Sequence, residues 1–267
     1  GSEGTLGLAT EAVVRLTPDP EKVVTLLAPF PSLAACAEAV AGIVAAGIVP
    51  AAMEIMDQGA VRTVEDSVNR AGYPREAGAV LLVELDGRPA ALARPLARVE
   101  EICRGAGALQ VEAARDEAHR QRLWKGRKGV FGSSGRLAPD LYVMDGVVPR
   151  DRLAETMARV QEITRRHGLT CCNIAHAGDG NLHPNICFDR RDAAQVEAVR
   201  AAGSEIIQAC LDAGGTLTGE HGVGVEKIEL MAELFPRETL QVMRRVKAVF
   251  DPADMANPGK LLPRVEP

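Results

Sequence analysis

The chain has 267 residues, 46% of them hydrophobic and 25% charged, with a net charge of −5; this is ordinary globular composition and excludes a disordered chain. The mild acidity, with no run of five or more Lys/Arg, argues against a nucleic-acid partner. No apolar stretch reaches the ~18 residues that cross a bilayer.

In chain order, "GSEGTLGLATEAVVRLTP" starts without Met and goes straight into glycine-rich turn chemistry. It reads as the continuation of a larger protein rather than a vector scar. "EKVVTLLAPF" (21–30) is β-branched and apolar and predicts a strand. Ser32 then caps a helix that stops at Gly47, and "AAMEIMD" predicts a strand. "GAVLLVELDG" (78–87) is a buried strand, Pro89 opens a helix running to about Gly105, and "ALQVEAA" is the next strand. Residues 116–135 read as a connecting helix, in which the lone tryptophan, Trp124, has core packing as its default role.

The second half repeats the order. "DLYVMDGVV" (140–148) is a strand and Pro149 opens a helix that stops at Gly168. "TCCNIAHA" and "NLHPNICF" are strands flanking a Gly-Asp-Gly. A helix runs from about Asp192 to Asp212, "GTLTG" is a last short strand, and a helical tail covers 224–250. Two βαββαβ orders in succession predict an α+β fold: duplicated ferredoxin-like units forming an antiparallel sheet flanked by helices, plus a C-terminal helical tail. The six cysteines contain no CxxC pair and read as reduced thiols of a cytoplasmic protein. Cys171 and Cys172 would point to opposite faces of a strand.

The chemistry concentrates in "AHAGDGNLHPN" (175–185). Asp-Gly between two apolar runs is a hairpin signal, so His176 and His183 can meet across two strands near the turn. Imidazole is the commonest neutral nitrogen ligand for zinc-like metals. Glu220, in the glycine-flanked "TGEHGVG", offers a third ligand. Two His and one carboxylate with an open position is a catalytic rather than a structural set. The spacing alone also fits histidines that merely pack; the crowding of Gly178, Gly180, Gly219, Gly222 and Gly224 around both segments favours a ligand approached closely by backbone. His221 points away from its neighbour on an extended chain and is either a proton acceptor beside the metal or a histidine bonded to a backbone carbonyl. Arg127 can grip a carboxylate with a two-point fork, or Lys125, Arg127 and Lys128 can form a solvated helix face.

"NIAHAGDGNLHPNICF", "GGTLTGEHGVGVEKIELM" and "FDPADMANPGKLLP" together resemble the C-terminal half of FAD-linked 2-hydroxyacid oxidases and dehydrogenases, of the vanillyl-alcohol-oxidase type. "WKGRKGVFGSSGRLAPDLYVMDGVVPR" is most similar to the glycolate oxidase branch, and "GSEGTLG" resembles the closing turn of the family's FAD-binding domain. The resemblance implies three segments. Residues 1–18 are the tail end of an otherwise absent FAD-binding domain, 19–223 the C-terminal substrate and cap domain, and 224–267 C-terminal helices with a flavin-proximal NPGK segment.

It also implies the site. His176, His183 and Glu220 hold a divalent metal (Zn, Mn or Fe) and His221 is the base. Arg127 pairs with the substrate carboxylate, with Asn185 and Tyr142 also on the substrate. Glu3, Gly4, Thr5 and Asn257 approach the FAD. Relatives acting on longer diacids carry Lys where Val143 stands, which weakens a dicarboxylate substrate. The implied reaction is oxidation of a small 2-hydroxy acid of the glycolate or D-lactate type, by hydride transfer to FAD. The implied partners are an FAD-binding domain or other oxidase subunits, any membrane association comes through those subunits, and a homo-oligomer is left open. A non-catalytic metal- or subunit-binding domain without flavin is the alternative, and a zinc hydrolase built on the same ligands is a third reading.

Overall fold

The computed structural model describes residues 1–263. The first half runs β1 (Lys22–Phe30), α1 (Leu33–Ala45), β2 (Ala52–Asp57), α2 (Gln58–Glu65), β3 (Ala79–Gly87), α3 (Pro89–Gly105), β4 (Glu112–Ala113), α4 (Glu117–Lys128) and α5 (Val130–Ser134). The second runs β5 (Asp140–Val143), α6 (Leu153–Arg166), β6 (Thr170–His176), β7 (Asn181–Phe188), α7 (Ala193–Asp212), α8 (Met231–Leu234) and α9 (Arg237–Phe250). Ser32 caps α1 as expected, its hydroxyl accepting the Ala35 N–H at 3.2 Å.

All seven strands form one antiparallel sheet in the order β4-β1-β3-β2-β6-β7-β5. The first four strands have the ferredoxin-like order. The second unit mirrors it, with Thr216 bridged to Val147 where a fourth strand would lie. The two units join edge to edge through β2 and β6.

Several expectations need correction. Helix α2 lies between β2 and β3, where a direct connection was expected. Asp57 caps it, and Ala60, Val61 and Val64 bury one stripe. The "GTLTG" strand is reduced to the single bridge at Thr216. From Gly219 on, the backbone N–H groups turn to a carboxylate described below. β5 ends at Val143 rather than at 148, β4 keeps two residues of its predicted seven, and the connecting helix breaks at Gly129. The tail is helical only from Met231, and it is no appendage, because Met231 and Leu240 are buried in the core of the second unit. Its last four residues, 264–267, lie outside the described residues.

Helices α1, α3, α6 and α7 pack on one face of the sheet, against Phe30, Ile55, Leu81 and Ile186 among others. Helices α2, α4 and α5 pack on the opposite face, against Leu27, Met56, Leu82 and Ile174. Because side chains alternate along a strand, that second face also receives Glu54 of β2, His176 of β6 and His183 and Asn185 of β7.

Asp57 ties β2, α2, α6 and β6 together. Its carboxylate accepts the Ala60 N–H (2.8 Å), the Asn173 amide (2.8 Å) and the Gln161 amide (3.1 Å). Asp57→Ala removes a helix cap and leaves the buried Asn173 amide without its acceptor. The expected cost is about 2–3 kcal/mol, read as a lower urea midpoint at unchanged slope.

Candidate metal and active site

β6 and β7 form the expected hairpin. Its turn closes with the Gly180 N–H donating to the His176 carbonyl at 3.0 Å. Gly180 has φ +83°, and a Cβ there would sit 2.0 Å from the Val148 carbonyl oxygen, so no other residue fits without moving backbone. His176 stands opposite Asn181 and His183 opposite Ile174. The two imidazoles are therefore diagonal neighbours, edge to face, with centroids 5.0 Å apart.

Each ring is held by its Nδ1. His183 donates to the Met144 carbonyl (3.1 Å) and His176 to Glu54 Oε1 (2.7 Å). This turns both Nε2 atoms toward Glu220, whose Oε1 is 2.9 Å from that of His183 and 3.6 Å from that of His176. The three ligand atoms lie within 4.8 Å of one another. Burial pushes His183 below the usual imidazole range, and the Glu54 hydrogen bond raises His176. This donor set suits a zinc-like divalent ion: two nitrogens with lone pairs converging on a carboxylate that is 54% exposed, which leaves a coordination position open toward solvent.

The loop carrying Glu220 and His221 has one anchor. Asp145, fully buried just beyond β5, accepts the Thr218 hydroxyl (2.8 Å) and the N–H groups of Gly219 (3.1 Å), Glu220 (3.0 Å) and His221 (2.6 Å) through Oδ2. Its Oδ1 pairs with the buried ammonium of Lys227. Burial works against its charge, yet Lys227 and the loop donors hold its carboxyl below the usual range. Glu3 grips the next turn, accepting the N–H groups of Val223 (2.6 Å) and Gly224 (2.8 Å). The His221 ring stacks on His183 at 5.1 Å and stays 40% exposed.

His176, His183, Glu220 and His221 thus come together, and Asn185 lies beside them on the same face. Its amide donates to the Cys172 and His183 carbonyls, while its Oδ1 is buried without a partner. Arg127 is not on a solvated helix face. It is 5% exposed and donates Nε to Glu54 Oε2 at 3.0 Å, while Nη2 lies in ion-pair range of the same oxygen, at 2.7 Å, without a hydrogen-bond partner. Tyr142 is a correction: it pairs with Ile186 and packs on Gly203 of α7, on the far side of the sheet, and its neighbour Val143 shares the site face with Asn185. Glu3, Gly4, Thr5 and Asn257 cluster at the edge of the site loop, with the Asn257 amide on the Glu3 carbonyl and Lys247 on that of Thr5. All six cysteines are free.

Sequence reading missed Glu54, Asp145 and Lys227. Glu54 does carry a signal, as a lone carboxylate inside the apolar strand "AMEIMD". Asp145 and Lys227 carry none locally.

Residues 19–261 match the family described as FAD linked oxidases, C-terminal domain, and the chain belongs to that family. It is 42% identical over 263 residues to glycolate oxidase subunit GlcD of Escherichia coli K12, covering 98% of this chain and 52% of that protein. It is 39% identical to GlcD of Bacillus subtilis, covering 98% and 55%, and 32% identical to the mitochondrial D-lactate dehydrogenase [cytochrome] of Arabidopsis thaliana, covering 98% and 46%. The chain thus spans about half the length of these curated relatives. Among solved structures it shares the fold of an alkyldihydroxyacetonephosphate synthase (TM-score 0.68, 18% identity, 98% of this chain and 49% of that one). It also shares that of p-cresol methylhydroxylase (TM-score 0.70, 13% identity, 91% and 53%). Among the described residues no helix is long and apolar enough to cross a membrane.

Proposed function

We propose that the chain is the substrate- and metal-binding portion of an FAD-dependent oxidoreductase that oxidises a small 2-hydroxy acid, of the glycolate or D-lactate type, to the 2-oxo acid. The observation that carries this reading is the convergence of His176, His183 and Glu220 on one point with the His221 ring stacked beside them. These three residues would hold the divalent ion, which when bound supplies Lewis-acid polarisation that lowers the pKa of the substrate hydroxyl. FAD, held mostly by a separate FAD-binding part, would supply the hydride acceptor.

The chain's own residues do the rest. The half-exposed His221 ring has Nδ1 3.9 Å from the Asp145 carboxylate and Nε2 3.9 Å from Glu220 Oε1, and from that place beside the ligand cluster it would accept the hydroxyl proton. Arg127 supplies positive charge for the substrate carboxylate. The unpartnered Oδ1 of Asn185 is an acceptor awaiting a donor. Glu3, Gly4, Thr5 and Asn257 form the edge that meets the flavin side. Val242, Val246, Val249 and Phe250 of α9 are exposed, an apolar helix face suited to cover by the FAD-binding part or another oxidase subunit.

The test joins the chain to an FAD-binding domain and assays glycolate and D-lactate with a dye acceptor. Activity that tracks bound metal supports the reading; no activity in a flavin-loaded, metal-loaded assembly refutes it. His221→Ala is expected to retain metal within twofold and to lose about 10²–10⁴ in turnover, the usual worth of a general base. Normal turnover in that variant removes His221 from the base role.

A further inference from the structure

We infer that Glu54 is a positioning residue that fixes the ring of the metal ligand His176 and, through its other oxygen, the guanidinium of Arg127. This rests on the metal-site reading above. Glu54 is a buried carboxylate on an interior strand, flanked by the apolar Met53, Ile55 and Met56. A charge in such a place costs several kcal/mol unless it is paired and hydrogen-bonded. Its two oxygens have separate partners. Oε2 accepts the Arg127 Nε–H at 3.0 Å and pairs with the guanidinium charge, and Oε1 accepts His176 Nδ1–H at 2.7 Å.

A pair that served folding alone would need only Arg127. The third partner is a ring of the ligand cluster, and the contact has a chemical consequence. A carboxylate only accepts, so His176 Nδ1 carries the proton and the lone pair is left on Nε2, the atom facing Glu220. Without Glu54 the ring can carry its proton on Nε2 and lose its ligand atom. His183 reaches the same tautomer by another device, the Met144 carbonyl. A carboxylate also makes the imidazole a stronger donor to a cation than a carbonyl does. Arg127 is meanwhile pinned by the same group, so one side chain sets both the ligand ring and the cation proposed to meet substrate.

The test uses the metal-free chain first. Long-range ¹H–¹⁵N correlation at a pH where His176 is neutral is expected to show the Nδ1–H tautomer in the wild type and a shift toward Nε2–H in Glu54→Ala. Zinc titration by calorimetry is expected to show affinity lowered 10- to 100-fold in Glu54→Ala and less than 10-fold in Glu54→Gln, whose Oε1 still accepts from Nδ1. Glu54→Ala strands the Arg127 charge and can unfold. The double variant Glu54→Leu/Arg127→Met removes acceptor and charge together, and is expected to fold yet bind zinc at least 10-fold more weakly. An Nε2–H ring in the wild type, or zinc affinity less than 10-fold below wild type in folded Glu54→Ala or in the double variant, overturns the inference. His183→Ala run in parallel separates the failures. Zinc binding that survives His183→Ala defeats the metal-site reading, whereas binding lost in His183→Ala but intact without Glu54 defeats only the positioning role.

Discussion

Replacing His183 with alanine is expected to abolish divalent-metal binding and, in an assembly with flavin, activity with it. His183 is the most buried of the three ligands and its Nε2 is the nitrogen nearest Glu220, at 2.9 Å. Zinc sites with a full set of protein ligands are worth about 10–16 kcal/mol, so one ligand of three in an open site accounts for about 3–4 kcal/mol, or a loss of more than 100-fold in affinity. The substitution also removes the surface on which the His221 ring stacks, so the base loses its orientation at the same time. Calorimetric titration with zinc and a thermal-shift series with added metal measure the effect. A folded His183→Ala chain that still binds zinc as tightly as the wild type would remove the metal from the proposed chemistry.

The second large effect is expected at Asp145. Asp145→Ala leaves the Lys227 ammonium buried without its counter-charge and frees the N–H groups of Glu220 and His221 together. Breaking a buried pair from one side costs about 3–5 kcal/mol, visible in urea unfolding. The functional consequence is separable from the stability cost. With Lys227→Met added, the stranded charge is gone and most of the stability should return, yet the loop still lacks its anchor. Metal affinity in Asp145→Ala/Lys227→Met is therefore expected to stay at least about tenfold below wild type, because Glu220 must be ordered at the moment of binding. Wild-type affinity in the double variant would show that the loop holds Glu220 without Asp145.

The relation between the two halves explains why the site lies where it does. β2 and β6 are the second strands of the two ferredoxin-like units, and their pairing sets Glu54 opposite His176. Met144 and Asp145, immediately after β5, then serve the two ligand segments in turn: the Met144 carbonyl orients His183, and the Asp145 carboxylate holds the loop of Glu220 and His221. The cluster of His176, His183 and Glu220 is thus assembled on the second unit and buttressed from the first. This division accounts for the mixed burial of the cluster, with His183 enclosed in the sheet face and Glu220 on its open side.

How much of this was legible beforehand follows from the range of each signal. The strand and helix order, the Ser32 cap and the hairpin at Gly178–Gly180 are set by patterns within a few residues, and the sequence carries them. The clustered residues also show themselves locally, because His176 and His183 belong to one hairpin and Glu220 and His221 to one glycine-flanked loop. Parity along β5 did not: whether Tyr142 or Val143 faces the site depends on the register against β7, and a one-residue difference exchanges the two faces. Nor did the fate of "GTLTG", which keeps one bridge, at Thr216, before the N–H groups of Gly219 and the two residues after it turn to a carboxylate more than 70 residues away in sequence.

The sequence by itself therefore determined the duplicated element order and brought each ligand pair to a turn, since both depend on spacing along the chain. The tertiary structure alone decided that Glu54, 122 residues from His176, would hold that ring, that Asp145 would meet Lys227, and that Arg127 would be buried rather than solvated. Those contacts come from which sheet edges join and in what register, and that choice is made by burial of whole faces, which no local pattern encodes.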